Sequence, residues 1–552
     1  MDASFSLTAR RANLAAMTAE SVDLLVIGGG ITGAGIARDA AMRGMRTALV
    51  DKDDFGSGTS SRSSRLVHGG LRYLETGDLK LVFEASRERR VLLNIAPHLV
   101  WPRSFIFPVH SGSRVPRWKL SAGLWLYDAL ALFRNVKRHE SLSKKALLRA
   151  EPAIRSNDLS GGARYWDAQC DDVRLVLGNV RDAYRHGAYP ANYVRVDAFE
   201  RVDGRVTGAR MTDRLTGETL TVHAHVVVNA TGPWSDALRQ DGTRLLHPTK
   251  GVHVLVPRAR LGNHEAVTLT SPIDGRVMFI LPWSHDLSYI GTTDTECDES
   301  PDDLRATADD VIYLLRSANA FYPSARLQPD DVISAWAGLR PLLRPRDPTE
   351  PGKVSREHQI VEHDGLLSIV GGKLTTYRVM AEQMVNRVAE HLRALDGRDP
   401  FPPCRTAEEP LPGGEARDLA VLIDALTEEG TDRALAEHLV RSYGGEAPAV
   451  ARLAESDPAL GARITPQHPA LRAELIHAIR REMALTLTDL LLRRTHVFLE
   501  TPGHGLKQAP EIVDLIADEL GWDAARKASE LAAYLQEVER HESFRTELAA
   551  RA

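Results

Sequence analysis

Apolar residues along this chain fall into short blocks of strand length and longer stretches at helical spacing. Val22-Asp23-Leu24-Leu25-Val26-Ile27 is a short block and predicts a buried strand. It runs into Gly28-Gly29-Gly30-Ile31-Thr32-Gly33, after which Ala34 to Arg43, rich in small residues, predicts a helix stopped at Gly44. Arg46 to Val50 predicts a second strand ending at Asp51. A β-branched run, Val226-Val227-Val228, leads into Asn229-Ala230-Thr231-Gly232-Pro233-Trp234, and Leu366 to Val370 leads into Gly371-Gly372-Lys373-Leu374-Thr375-Thr376-Tyr377-Arg378. The second of these repeats the order strand, glycines, helix. His253–Val256, Val277–Leu281 and Leu287–Thr292 are strand-like, with turn-like breaks at Gly275-Arg276 and Ser284-His285-Asp286. Near residue 400 the pattern changes. Pro400, Pro402, Pro403, Pro410 and Pro412 with Gly413-Gly414 mark a linker, and Leu419, Leu422, Ile423 and Leu426 then recur at helical spacing. Leu485–Arg494 and Ile512–Leu520 predict further helices.

Composition narrows the classes. A length of 552 residues gives room for two to four domains. With 69 Lys+Arg against 74 Asp+Glu, the net charge of −5 gives no overall pull toward nucleic acid. Cys170, Cys297 and Cys404 lie far apart, which excludes a disulfide framework and suits a reducing compartment. No apolar run approaches the roughly 20 residues of a bilayer span. Residues 1–20 contain Arg10 and Arg11 but lack the apolar core of a secretory signal, so a frayed N-terminal extension over 1–21 is expected.

The first strand, glycine loop, helix and second strand have the order of a dinucleotide site. Gly28 permits the tight turn, Gly30 lets backbone approach a pyrophosphate, and Gly33 lets helix and strand pack closely. Asp51, 18 residues past Gly33, is placed to accept from ribose hydroxyls. This unit serves FAD and NAD alike. The loop Thr59-Ser60-Ser61-Arg62-Ser63-Ser64-Arg65-Leu66-Val67-His68-Gly69-Gly70-Leu71-Arg72-Tyr73-Leu74 has hydroxyls and glycines suited to phosphate or a flavin, and three arginines suited to an anion. A helix N-terminus beside Lys373 would stabilise negative charge on a reduced flavin ring.

Together with IGTTD at 290–294 and GLRPL at 338–342, these segments resemble the FAD-dependent glycerol-3-phosphate dehydrogenases, the membrane-associated, quinone-linked type. The resemblance spans roughly residues 22–400, and a helical C-terminal segment follows. It implies an α/β protein: a Rossmann-like FAD-binding domain of the glucose/D-amino-acid-oxidase type, an α+β substrate domain and a C-terminal helical domain. The FAD-binding domain would be discontinuous, over 22–100, 160–250 and 345–395. The substrate domain would take 101–159 and 251–344, and the helical domain 405–552. It implies oxidation of sn-glycerol 3-phosphate to dihydroxyacetone phosphate, with noncovalent FAD as cofactor and ubiquinone or menaquinone as acceptor. An O₂-using glycerol-3-phosphate oxidase or a related amine or amino-acid oxidase is the alternative. Arg72, Tyr73, Arg340, Arg356, Lys373 and Thr375 inherit the substrate-binding roles. Arg340 and Lys373 are also expected in catalysis with His253, one candidate for the base; His68 is the other. Cofactor contacts are expected from Gly28, Gly30, Gly33, Asp51, Ser60, Ser61, Ser63, His68, Thr231, Gly232, Gly338, Gly372, Lys373, Leu374 and Thr375. Arg344 and Arg346 add charge nearby.

Residues 114–139 bear on the membrane. Arg114, Arg117, Lys119, Arg134, Lys137 and Arg138 accompany Trp118, Trp125 and Tyr127, against the single acid Asp128. Leu120 to Phe133 is too short to span but suits docking on an anionic bilayer that admits quinone, or else a buried helix. The expected placement is cytoplasmic, held peripherally at the inner face of the cytoplasmic membrane, with a homodimer possible and no nucleic-acid partner.

Overall fold

The strand Val22–Ile27 is buried on both faces, and parallel neighbours flank it: Thr219–Asn229 on one side and Thr47–Val50 on the other. Its near-continuous apolar run follows from that position, since a central parallel strand has no solvent face. Leu24, Leu25 and Val26 pair with Val226, Val227 and Val228. The computed structural model describes residues 4–551 apart from 75–76, 133–134, 240–241, 284–285, 345–357 and 398. Among the described residues this sheet has eight strands. Leu366–Gly371 adds parallel to Thr219–Asn229, Tyr189–Ala191 adds parallel to Thr47–Val50, and His358–His363 closes one edge antiparallel. The hairpin Val194–Val202/Arg205–Asp213 continues from Thr219–Asn229. Helix Ile31–Met42 packs against helices Asp172–Arg185 and Tyr377–Asp396. Its small residues permit this: a Cβ on Gly35 would stand 2.9 Å from the Tyr377 ring.

A second, ten-stranded sheet runs Thr295–Glu296, Thr249–Pro257, Leu287–Gly291, Val277–Pro282, Ala266–Thr270, Val100–His110, Leu159–Cys170, Leu66–Val67. Ser334–Arg340 pairs with Thr249–Pro257, and Glu140–Leu142 with Leu159–Cys170. Two segments cross the boundaries read from the sequence. Leu159–Cys170 pairs antiparallel with Val100–His110 along its length, so the chain returns to the first sheet only after Cys170, not at 160. Leu66–Val67, inside the 22–100 segment, also joins the second sheet.

From Leu419 to Ala549 the described elements are all helical, including Leu419–Glu428, Arg433–Tyr443, Arg472–Arg481, Ala509–Leu520 and Ala524–Ala549. The helix expected from Leu485 begins late and is wound as a π-helical turn over Asp489–Arg494. The proline-rich linker is packed: Leu411 is buried and its N–H donates to the Ile95 carbonyl at 2.8 Å.

The frayed N-terminus is corrected. Leu7–Ala19 is a helix that buries Arg10, Asn13 and Met17. Arg10 donates twice to the buried Asp213 carboxylate, at 2.7 and 2.9 Å, and Asn13 donates to the Pro190 carbonyl. Arg10 and Asn13 look like surface residues in sequence because their partners lie about 180 to 200 positions away.

Candidate active site

The carboxyl ends of four parallel strands meet at one edge of the first sheet, carrying Gly28, Asp51, Thr231 and Gly371–Gly372. That edge is where an open parallel sheet receives ligands. A cleft of about 510 Å³ opens there and extends between the two sheets.

The glycine loop is shaped for close approach. Gly28 holds φ +106°, and a Cβ on it would meet the Ala230 carbonyl oxygen at 2.6 Å. A Cβ on Gly33 would lie 1.9 Å from the Gly28 oxygen, so Gly33 sits one layer behind the wall and keeps helix against strand. Gly30 precedes the helix and offers no side-chain cap of its own, so the helix N-terminus faces the cleft through backbone. Ser60 Oγ accepts from the Ile31 N–H at 3.0 Å. Asp51 accepts from the N–H groups of Gly29 at 2.6 Å and Asp53 at 2.9 Å, and burial pushes its carboxyl up to about 7. Side-chain-free backbone at a helix N-terminus, with a carboxylate one strand away, fits a dinucleotide.

His68, Lys373, Leu374 and Thr375 line the same cleft as Gly338, Arg340 and His253. His68 N–H lies 3.3 Å from Thr375 Oγ, and Lys373 Nζ stands 4.8 Å over the Tyr73 ring. Tyr73 is thus behind Lys373 and outside the wall. Gly338 has to be glycine, since its Cβ would strike the Arg62 carbonyl at 2.4 Å. Arg340 is oriented by Asp294 at 2.9 Å, Thr292 Oγ at 3.0 Å and the Thr293 carbonyl at 3.0 Å. His253 stacks on Trp336 at 5.2 Å and shares a hydrogen bond with Ser64 Oγ through Nε2 at 2.9 Å. Its Nδ1 is buried and has no hydrogen-bond partner among the described residues. Burial, then the Arg340 and Arg65 guanidinium groups, push its pKa down to about 3, so the free imidazole is neutral.

Ser63, Thr231, Gly232 and Gly372 also line the cleft, whereas Ser61 does not. The Arg72 side chain, Arg346 and Arg356 lie outside the described residues. Arg344 is exposed. The loop arginines do not act as a set. Arg62 lines the cleft, but Arg65 is sealed in an ion pair with Asp172 at 3.1 Å and lies 4.4 Å over the Trp283 ring. The Ser63 hydroxyl likewise donates to Asp172 at 2.7 Å. The structure adds residues that sequence reasoning passed over. Ser64 was visible in the hydroxyl run. Val194–Asp197, which lines the cleft, carries no motif at all.

Residues 23–378 match the model of the FAD dependent oxidoreductase family, and 404–527 match that of the C-terminal domain of alpha-glycerophosphate oxidase. Glycerol-3-phosphate dehydrogenase of Synechocystis is 38% identical over 94% of this chain and 96% of its own length. The chain belongs to the FAD-dependent glycerol-3-phosphate dehydrogenase family. Aerobic glycerol-3-phosphate dehydrogenase of Bacillus subtilis is 37% identical over 96% of both chains. A glycerol-3-phosphate dehydrogenase from Bacillus halodurans, solved with FAD, superposes with a TM-score of 0.81 at 33% identity, covering 97% of this chain and 98% of the other. The arrangement follows the α/β fold with a helical C-terminal domain expected from the sequence.

Proposed function

We propose that this member of the family oxidises sn-glycerol 3-phosphate to dihydroxyacetone phosphate. The observation that carries the reading is one cleft lined both by a dinucleotide cradle and by Arg340, His253, Lys373 and Thr375. The glycine loop, Asp51 and the Gly371–Thr375 turn are the residues this reading assigns to FAD. Held without a covalent link, FAD supplies the hydride acceptor when bound. Arg340 takes the phosphate, with Arg72 and Arg356 as the further cations this reading assigns to it. His253 accepts the C2 hydroxyl proton. Burial is the main reason the imidazole is neutral and able to accept a proton, and a phosphate dianion at Arg340 would offset the smaller contribution of that cation. Lys373 and Thr375 orient the carbinol, and Lys373 offsets negative charge developing beside it. The test is anaerobic titration with glycerol 3-phosphate. Bleaching of the flavin absorbance is expected, and an unchanged spectrum with FAD bound refutes the reading.

The acceptor is read as quinone, taken from an anionic membrane surface at the inner face of the cytoplasmic membrane. Among the described residues no helix is long and apolar enough to cross a bilayer. Helix Arg117–Leu130 is amphipathic: it buries Leu120, Leu124, Tyr127 and Asp128 and exposes Trp118 and Trp125, 75% and 55% accessible. Phe83, Leu126 and Leu132 are exposed beside them in sequence or on the packed neighbouring helix. Tyr127 drops out of the expected aromatic set, because its hydroxyl donates to the buried Asp167 at 2.8 Å. The match of 404–527 to an oxidase domain favours O₂ as the second reading. Peroxide yield measured with and without a soluble quinone separates them: stoichiometric peroxide with no quinone reduction would establish the oxidase.

A further inference from the structure

Among the described residues none beyond Thr375 lines the cleft, so the described part of the C-terminal domain contributes nothing to its wall. One run of that domain nonetheless grips both flanks of the loop that does, residues 51–65. Arg493 Nε and Arg494 Nη1 each donate to Asp54 Oδ2 at 2.7 Å, and Arg494 Nη2 donates to Asp54 Oδ1 at 3.0 Å. Asp54 is fully buried. Its chain neighbours brace the glycine loop: Gly56 N–H donates to the Gly29 carbonyl at 3.0 Å, and Phe55 packs where a Cβ on Gly29 would fall. On the other flank, His496 Nε2 donates to Asp171 at 2.7 Å, and its Nδ1 lies 3.5 Å from Arg65 Nη2. The next residue, Asp172, holds Ser63 and Arg65.

Buried ion pairs of this kind are weak sources of net stability, because desolvation cancels much of the attraction. Their fixed, two-pronged geometry does define position. We propose that Arg493, Arg494 and His496 are positioning residues that hold loop 51–65 in the shape that receives FAD. The proposal rests on the family's use of FAD and is independent of the substrate. Through these three residues the helical domain sets the cofactor site from behind.

The test compares FAD release from Arg494→Lys with release from Arg181→Leu, followed by the fluorescence of freed flavin on dilution. Arg181 pairs with Glu446 at 2.8 Å in the same seam between domains, and among the described residues its side-chain hydrogen bonds go to Glu446 and not to loop 51–65. Arg494→Lys keeps the charge and loses the fork, so FAD should leave at least tenfold faster, whereas Arg181→Leu should stay within twofold of wild type. Equal release rates from two variants of matched Tm overturn the proposal. Hydrogen exchange on the wild-type protein gives a second arm that no folding defect can obscure. FAD should slow exchange of amides 489–496 as well as 28–33. Slowing at 28–33 alone overturns the proposal, and slowing nowhere counts instead against FAD binding itself.

Discussion

Arg340 and Asp51 both line the cleft, and each has a measurable signature. Arg340→Ala removes a cation that lines the cleft and leaves a phosphate short of its charge-assisted pair. A fall in kcat/KM of roughly two to three orders of magnitude is expected, mostly through KM. Arg340→Lys should also be impaired, since an ammonium cannot make the planar two-pronged contact. Steady-state kinetics on both variants checks this, and near-wild-type values would remove Arg340 from the site. Asp51 acts through its proton. Burial lifts it to about 7, so below that pH it is protonated and is a poorer acceptor for ribose hydroxyls. FAD affinity should tighten between pH 6 and 8, and Asp51→Asn should flatten the profile. The apo protein should respond in the opposite direction. The folded state keeps a proton that the unfolded chain gives up near pH 4, so this group's contribution to stability falls as pH climbs from about 4 to about 7. Chemical denaturation of apo wild type and Asp51→Asn across that range measures it.

At the scale of elements, the strand, glycine loop and helix were legible because their residues answer to local geometry. Gly33 is required by a neighbour five residues away, 1.9 Å from where its Cβ would be. Gly33→Ala should cost about 1–3 kcal/mol or more through overpacking and abolish FAD retention, read by Tm and by flavin content after gel filtration. The helix Arg117–Leu130 was legible only as a composition. Its periodicity allowed both a docking face and a buried helix, and the structure shows a buried side and an exposed side on the same helix. The exposed side makes the prediction: Trp118→Ser with Trp125→Ser should strongly reduce flotation with anionic liposomes while flavin content stays unchanged. Undiminished flotation would rule out this face. Arg117 is a poor choice for charge reversal, since it already donates to the Ser160 carbonyl at 3.2 Å.

Across the whole molecule, buried charges join segments far apart in the chain. Arg10 reaches Asp213, Arg493 and Arg494 reach Asp54, and Arg174 reaches Glu482. Removing one partner of such a pair strands the other charge in the interior. Arg10→Ala should therefore destabilise the protein by about 3–5 kcal/mol, measurable by denaturant titration. The corrected boundary at Leu159–Cys170 is of the same kind. Strand pairing is chosen by the partner strand, and Val100–His110 lies about 50 or more residues upstream.

The sequence by itself determined the dinucleotide unit, the family and the motifs from which most of the cleft is lined. Gly33 is demanded by Gly28 five residues away, and even the glycines demanded from afar, Gly28 by Ala230 and Gly338 by Arg62, stand in short motifs that leave a readable pattern. Only the tertiary structure decided which loop arginine faces the cleft and which is sealed against Asp172. It alone showed that the N-terminus is a packed helix and that His253 is neutral between Arg340 and Arg65. It also showed that Arg493-Arg494-Thr495-His496 stands behind the cofactor loop. Each of these depends on partners roughly 80 to more than 400 positions away, and a charged residue in the chain looks the same whether it will meet water or a buried carboxylate.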